Sequence, residues 1–368
     1  VAGYSTKIIQ GERENMQNAF YTTCCMPTTT GITGEAMWTA LQTTGSLYGH
    51  VILIIHGGIG KNIAATAMLP LVKNAHPDCK IIVITGYPDI FLYNPHVFRV
   101  YNFANPLNVY DDYHDCSLVI AGEPYLDFGY LKKKRHLIDA FASMWNLHKS
   151  CVTSKVPHIF LLKKELESAN SFLESISDKG KPVVMFQWAG GFLAPSQECQ
   201  CDEKDVRKRF DIGRQRAYRR GLSIELAQKI ADRLSEKYTV LCVQTPDYPK
   251  LEGTKITNIP LRGTFAVLSK VKSFIAIDSF LQHASAALNK RGLVLWGGTS
   301  PNLLGYAHNL NYWLTDQCGN PFCHRPNSYL FDSQSGYSWN CPYDEACLDF
   351  DPDVIIEKFN ELEGISEN

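Results

Sequence analysis

The sequence predicts an α/β protein of two similar halves, each a parallel sheet flanked by helices. Three observations predict it. From Gly49 onward, short β-branched runs alternate with segments of helical apolar spacing. A polar, Pro-terminated break, Ser177-Asp178-Lys179-Gly180-Lys181-Pro182, interrupts that pattern, which then restarts. Strand-like runs in both halves end in glycine turns, His56-Gly57-Gly58-Ile59-Gly60 and Trp296-Gly297-Gly298.

The 368 residues suit two domains at roughly 100–200 residues each. We divide them into an extension or cap over 1–47, a first α/β domain over 48–178, a second over 179–350, and a terminal helix over 351–368 that packs back. Lys and Arg total 36 against 37 Asp and Glu, a net charge of −1, which argues against a broadly basic nucleic-acid binder. No apolar run approaches the roughly 18 residues of a membrane span. The first twenty residues lack the basic-then-apolar order of a secretory leader, so a cytoplasmic setting is expected.

Val51–Ile55 reads as a buried parallel strand, and Asn62–Val72 as the helix after its glycine turn. Lys80–Thr85, Phe98–Tyr101 and Leu118–Ala121 continue the sheet, followed by a helix from about Leu131 to Leu147. His158–Leu161 reads as a short strand, and 163–177 as a helix leaving the domain. In the second half, Val183–Phe186, Val240–Val243, Ser273–Ile277 and Leu293–Trp296 are strands. Ser223 caps a helix with apolar residues at Leu226, Ala227, Ile230, Ala231 and Leu234. Helices are also expected over Phe280–Leu288 and Asp353–Leu362, with Asp353 as the cap of the last.

Ligands of such sheets bind beyond the carboxyl ends of the strands. The first glycine turn suits an anion because bare backbone can approach it. It lacks the Gly and Ser/Thr spacing of a Walker loop and the third glycine of a dinucleotide fingerprint. The second segment is richer. Asp278-Ser279-Phe280-Leu281-Gln282-His283 and Gly297-Gly298-Thr299-Ser300 bring an acid, hydroxyls and a histidine to two strand ends. Arg214, Arg216, Arg219 and Arg220 add positive charge before a helix start, which suits a diphosphate.

These segments resemble glycosyltransferase family 9, the ADP-heptose:lipopolysaccharide heptosyltransferases and their autotransporter-modifying relatives. The likeness runs in order from about 49 to 365. It lies in HGGIGKNIAATAMLPLVKNAHPDCKIIVIT, SLVIAG with HLIDAFASMWNL, RRGLSIELAQKIADRL, and above all SKVKSFIAIDSFLQHASAALNKRGLVLWGGTSPNLLGY. The resemblance implies a GT-B fold, two Rossmann-like domains around a cleft, with the donor on the second domain and the acceptor on the first. It implies metal-independent, inverting transfer from a nucleotide-diphosphate sugar, ADP-linked, to a glycan or protein acceptor. It places Asp278, Ser279 and His283 on the donor's ribose and diphosphate, with Gly298, Thr299 and Ser300 in the matching turn. Arg219 and Asp247 fall near its basic and ribose-binding donor residues. A homo-oligomer is compatible with this picture.

Two positions depart from the family pattern. Lys61 stands where an Asp, the expected base, follows the last glycine, and Phe280 stands where a glycine follows Asp-Ser. Lysine is protonated near neutral pH unless strongly perturbed. His56, Glu123 and Asp89, at or just past strand ends, are the candidates to take its place. A non-catalytic nucleotide-sugar or glycan binder is the alternative, and a nicotinamide oxidoreductase suffers from the incomplete fingerprint.

Of the twelve cysteines, Cys318, Cys323, Cys341 and Cys347 form a cluster. Its spacing is compatible with one structural metal, two disulfides or free thiols. Autotransporter heptosyltransferases resemble this chain in carrying a four-cysteine iron site. We expect one zinc or iron per chain, distant from the donor site, and no cofactor for catalysis. Elemental analysis of protein purified without chelator should then find about one equivalent. A metal content near zero, with the thiols free or paired, contradicts the expectation.

Overall fold

The structure, a computed structural model, describes residues 48–104, 109, 112–113, 117–147, 154–190, 220–244, 248–314, 322 and 346–364. The expectations for 1–47, Arg214, Arg216, Arg219, Asp247, Cys318, Cys323 and Cys341 fall on residues outside them.

The first half holds β1 (His50–Ile55), α1 (Ile59–Ala65), α2 (Leu69–Ala75), β2 (Lys80–Thr85), β3 (Val97–Asn102), β4 (Ser117–Ile120), α3 (Phe128–Leu131) and α4 (Leu137–Met144). Its strands are parallel in the order β3-β2-β1-β4. The helix α5 (Lys163–Ile176) leads to β5 (Val183–Gln187), α6 (Ile224–Lys237), β6 (Thr239–Cys242), β7 (Lys255–Ile256), α7 (Leu261–Lys270) and β8 (Phe274–Ile277). Then come α8 (Phe280–Ala287), β9 (Leu293–Trp296), α9 (Pro301–Leu304), β10 (Leu310–Trp313) and α10 (Pro352–Glu363). The second sheet is also parallel, in the order β10-β9-β8-β5-β6-β7.

The continuous apolar runs form the inner strands because both faces are covered. In β5 all five residues are buried. One apolar cluster passes through both halves, from Val51, Leu53 and Met68 to Phe274, Leu281 and Trp296. A second fills the other face of the second sheet, where α6 and α10 cover Val184, Val240 and Ile275. The terminal helix therefore closes its own half.

Several expectations shift. His158–Leu161 is extended but unpaired, and the His158 N–H donates to Thr66 Oγ1 at 2.8 Å. β7 and β10 were not expected from the sequence; β7 has two residues, too few to show a period. The helix expected from Leu131 is two helices, the second capped by His136, whose Nδ1 accepts the Ile138 N–H. Asp351, not Asp353, caps α10, accepting the Asp353 N–H at 2.8 Å. Pro352 at the first helical position makes that register natural. Ser223 caps α6 as the sequence suggests, at 3.1 Å from the Leu226 N–H.

Among the contacts between the halves in the described residues, two bear most on their relative orientation. Arg262, on α7, is buried and reaches into the first half. Its Nε and Nη2 hold Glu165 on α5 at 2.6 and 2.7 Å, and it donates to the carbonyls of Asp89 and Phe160 at 2.8 Å each. Glu165 also accepts the Leu162 N–H at 2.7 Å, so α5 starts and the halves join through one carboxylate. Hydrogen bonds from Arg262 hold that carboxyl below the ordinary glutamate range. The second contact is the packing of α1 on α8. A Cβ at Gly60 would lie 2.6 Å from His283 Cδ2, so only glycine permits this approach.

Arg262→Ala should therefore cost about 3 kcal/mol, since it strands a largely buried carboxylate. The effects of Arg262→Ala and Glu165→Ala should add to less than their sum in chemical denaturation. Because Glu165 has a depressed pKa in the fold, its contribution is present above the ordinary glutamate pKa and disappears as pH falls through the folded one. Glu165→Gln should flatten that acid limb of stability. Gly60→Ala should lower stability by about 1–3 kcal/mol, and by less when His283 is already Ala.

Candidate functional site

A chain that leaves adjacent parallel strands in opposite directions opens a crevice at their carboxyl ends. Each sheet has one such switch point. In the first it lies between β1 and β4, where the loops 56–58 and 121–123 diverge. In the second it lies between β5 and β8, where Gln187–Gly190 and Asp278–Ser279 diverge. Both face one cavity of about 670 Å³, bounded by Gly58, Lys61 and Tyr125 on one side and Gly190, Asp278 and Thr299 on the other.

The second-half wall is built from strand ends. Gln187, the last residue of β5, donates to Ser279 Oγ at 3.1 Å and accepts the Leu281 N–H at 3.3 Å, which fixes the first turn of α8. Gly190 lies so close to Ser279 that a Cβ there would meet Oγ at 2.8 Å. Arg220 donates to the Asp278 carbonyl at 2.9 Å and faces the Asp278 carboxylate at 3.8 Å. Burial pushes the Asp278 carboxyl upward and Arg220 opposes the shift. Asp278 Oδ2, Gln282 Oε1 and Thr299 Oγ1 are buried without an aligned hydrogen-bond partner among the described residues. Thr299 and Gln282 nevertheless lie close enough to the Asp278 carboxylate to favour its charged form, and Asp278 and Thr299 border the cavity, an arrangement suited to a polar ligand.

His283 borders the same cavity. Its Nδ1 shares a hydrogen bond with the Tyr306 hydroxyl at 2.8 Å, and burial lowers its pKa to about 3. The neighbouring His136, whose Nε2 lies 3.0 Å from the Gly305 carbonyl, is lowered by burial to about 4. Burial thus favours the neutral form of both rings; His136 bonds across to the second half, while His283 bonds within the second half and packs against Gly60 of the first.

The first-half wall centres on an ion pair. Lys61 Nζ and Glu123 Oε2 are 2.5 Å apart, the lysine 4% exposed and the glutamate 21%. Glu123 Oε1 accepts the Tyr125 N–H at 3.1 Å, capping the short turn before α3. The ammonium also lies 4.8 Å from the centre of the Tyr125 ring. Burial pulls Lys61 below its ordinary range, against the opposing pull of Glu123.

The structure thus gathers Lys61, Asp278, Ser279, His283, Thr299 and Ser300 around one cavity, with Glu123 joined to its wall through Lys61 and Tyr125. Phe280 lines it too. Gly298 is buried in the turn just before Thr299. His56 is not among the cavity residues: it is exposed and stacked on Phe103, with ring centres 4.5 Å apart. Asp89 serves through its carbonyl, held by Arg262. Of the basic run, Arg220 is the member seen at the site. Cys347 is buried in the second core cluster beside Leu348 and Phe350. Among the described residues, no group of three or more His, Cys, Asp or Glu is placed to hold a metal. Sequence reasoning missed Gln187, Tyr125, Tyr130 and Tyr306. Gln187 had one usable signal, a lone polar residue closing an apolar strand.

No protein-family model and no curated protein matches the chain. Solved structures do. A family 9 glycosyl transferase from Veillonella parvula superposes with a TM-score of 0.58 at 13% identity, covering 87% of this chain and 98% of its own. ADP-heptose LPS heptosyltransferase II of E. coli gives 0.59 at 12% identity, covering 85% and 98%. The iron-containing dodecameric glycosyltransferase TibC of enterotoxigenic E. coli gives 0.57 at 14%, covering 87% and 77%. Among the described residues, no helix is long and apolar enough to cross a membrane. The chain has the GT-B fold of the family 9 glycosyltransferases and heptosyltransferases, with its cavity where the strand ends of the two halves meet.

Proposed function

We propose that the chain is a glycosyltransferase that moves a sugar from a nucleotide-diphosphate donor to a hydroxyl of a glycan or protein acceptor, with inversion and without a catalytic metal ion. The observation that carries this reading is the shared cavity, in which both switch points converge on one space. Its second-half wall offers Arg220, the Ser279, Thr299 and Ser300 hydroxyls and the first turn of α8. Such groups stabilise a leaving diphosphate as its charge develops. The buried Asp278 carboxylate and the Thr299 hydroxyl beside it suit ribose hydroxyls. The donor would therefore lie on the second half and the acceptor on the first. An ADP-linked heptose is the first donor to try, because a structural neighbour, TibC, was solved in complex with ADP-D-β-D-heptose.

Titration calorimetry with a panel of nucleotide-diphosphate sugars, ADP-heptose first, tests the reading. One of them should bind, and Asp278→Asn and Thr299→Val should each weaken it about tenfold with the fold intact by circular dichroism. If no nucleotide sugar binds, or if both variants bind like the parent, the reading fails. Binding without transfer to any acceptor marks a nucleotide-sugar-binding protein instead.

A further inference from the structure

The ion pair on the first-half wall has a more specific use. Transfer to a hydroxyl needs a group that takes its proton, within hydrogen-bond reach of the acceptor. The titratable groups around the cavity narrow the choice. Asp278 belongs to the donor wall, where its side chain is 2% exposed and faces Arg220. His283 is bonded to Tyr306 and lies beneath Gly60. His56 stacks on Phe103 away from the cavity. Tyr125 and Tyr130 are phenols, and burial raises Tyr130 well above its ordinary range. Glu123 does not line the cavity itself, but unlike His56 it is held by two residues that do, Lys61 and Tyr125; it is a partly exposed carboxylate just past β4, next to the first switch point.

We propose that Glu123 is the proton acceptor of this site and that Lys61 is the residue that positions it. The inference rests on the glycosyltransferase reading above. Lys61 grips Oε2 and the Tyr125 N–H grips Oε1, so the carboxylate has one orientation, held by two residues that border the cavity. Each oxygen keeps a second lone pair for an incoming hydroxyl. In the step, the acceptor oxygen bonds to the anomeric carbon as its proton passes to Glu123. The bond from that carbon to the donor phosphate oxygen breaks, and its electron pair leaves with the nucleoside diphosphate. Glu123 then releases the proton to solvent. Water in place of the acceptor gives donor hydrolysis by the same route.

The pair also sets the pH dependence. Lys61 faces Glu123 and Tyr125 from its own half, and His283, Asp278 and Arg220 border the same cavity from the second half. On the alkaline side turnover falls as Lys61 loses its proton and releases the carboxylate, at a pH below the ordinary lysine range because burial depresses its pKa.

The experiment measures ADP release from ADP-heptose, with water as acceptor, alongside calorimetric binding of the same donor. Glu123→Gln should lower kcat about 100-fold or more while donor affinity stays within about twofold. Lys61→Met should lower kcat by a smaller factor, and Lys61→Arg should restore most of the rate and move the alkaline fall to higher pH. A Glu123→Gln rate within about threefold of the parent overturns the proposal. So does a parent that binds ADP-heptose and releases no ADP. A parent that binds no nucleotide sugar at all contradicts the glycosyltransferase reading itself, a result distinct from either.

Discussion

One buried guanidinium fixes the relation between the two halves. Arg262 lies on the second half, yet its four hydrogen bonds end on Glu165 and on carbonyls of the first half and the connecting segment. The Tyr93 ring covers it at 5.0 Å. A charge in that position is tolerated because four of its five N–H donors are answered, and it penalises any arrangement that breaks those bonds. Arg262 is thus a device of orientation. The apolar cluster that runs through both halves supplies adhesion but little direction, since hydrophobic burial is non-directional.

Given that orientation, the site follows from topology. Each sheet has a single reversal in strand order, and the halves meet with both reversals facing one another. The local sequence serves this meeting. Gly60 is bare because His283 occupies the space a side chain would take, and Gly190 is bare because Ser279 does. Gln187 ties the end of one strand to the first turn after the next. Each wall carries a paired charge, Arg220 with Asp278 beside buried hydroxyls in the second half and Lys61 with Glu123 in the first. On the proposed reading the second-half wall takes the diphosphate and the first-half wall takes the proton of the acceptor hydroxyl.

Much of this was legible in the residues, and the exceptions share a cause. Val51–Ile55, Lys80–Thr85 and Leu293–Trp296 are recognisable as strands because a strand buried on both faces must be apolar throughout. Asp278, Ser279, His283, Thr299 and Ser300 were found because they follow such strands directly. β7, with two residues, has no period to detect, and His158–Leu161 has a strand's composition without a strand's partner. The Arg262–Glu165 pair spans 97 residues, and neither residue is unusual where it stands. Lys61 and Glu123 were each conspicuous, but only the adjacency of β1 and β4 shows that they form a pair. His56 occupies a strand end as Glu123 nearly does, yet its ring turns onto Phe103, a choice of side-chain packing that local sequence does not encode.

On the proposed reading the two switch points form one nucleotide-sugar site. Hydrogen–deuterium exchange with and without saturating ADP-heptose tests it most directly. The account predicts slowed exchange in both halves at once, over the turn 57–62 and over 278–283 with 299–302. Protection confined to a surface remote from these segments, or none under conditions where the donor is bound, would contradict it.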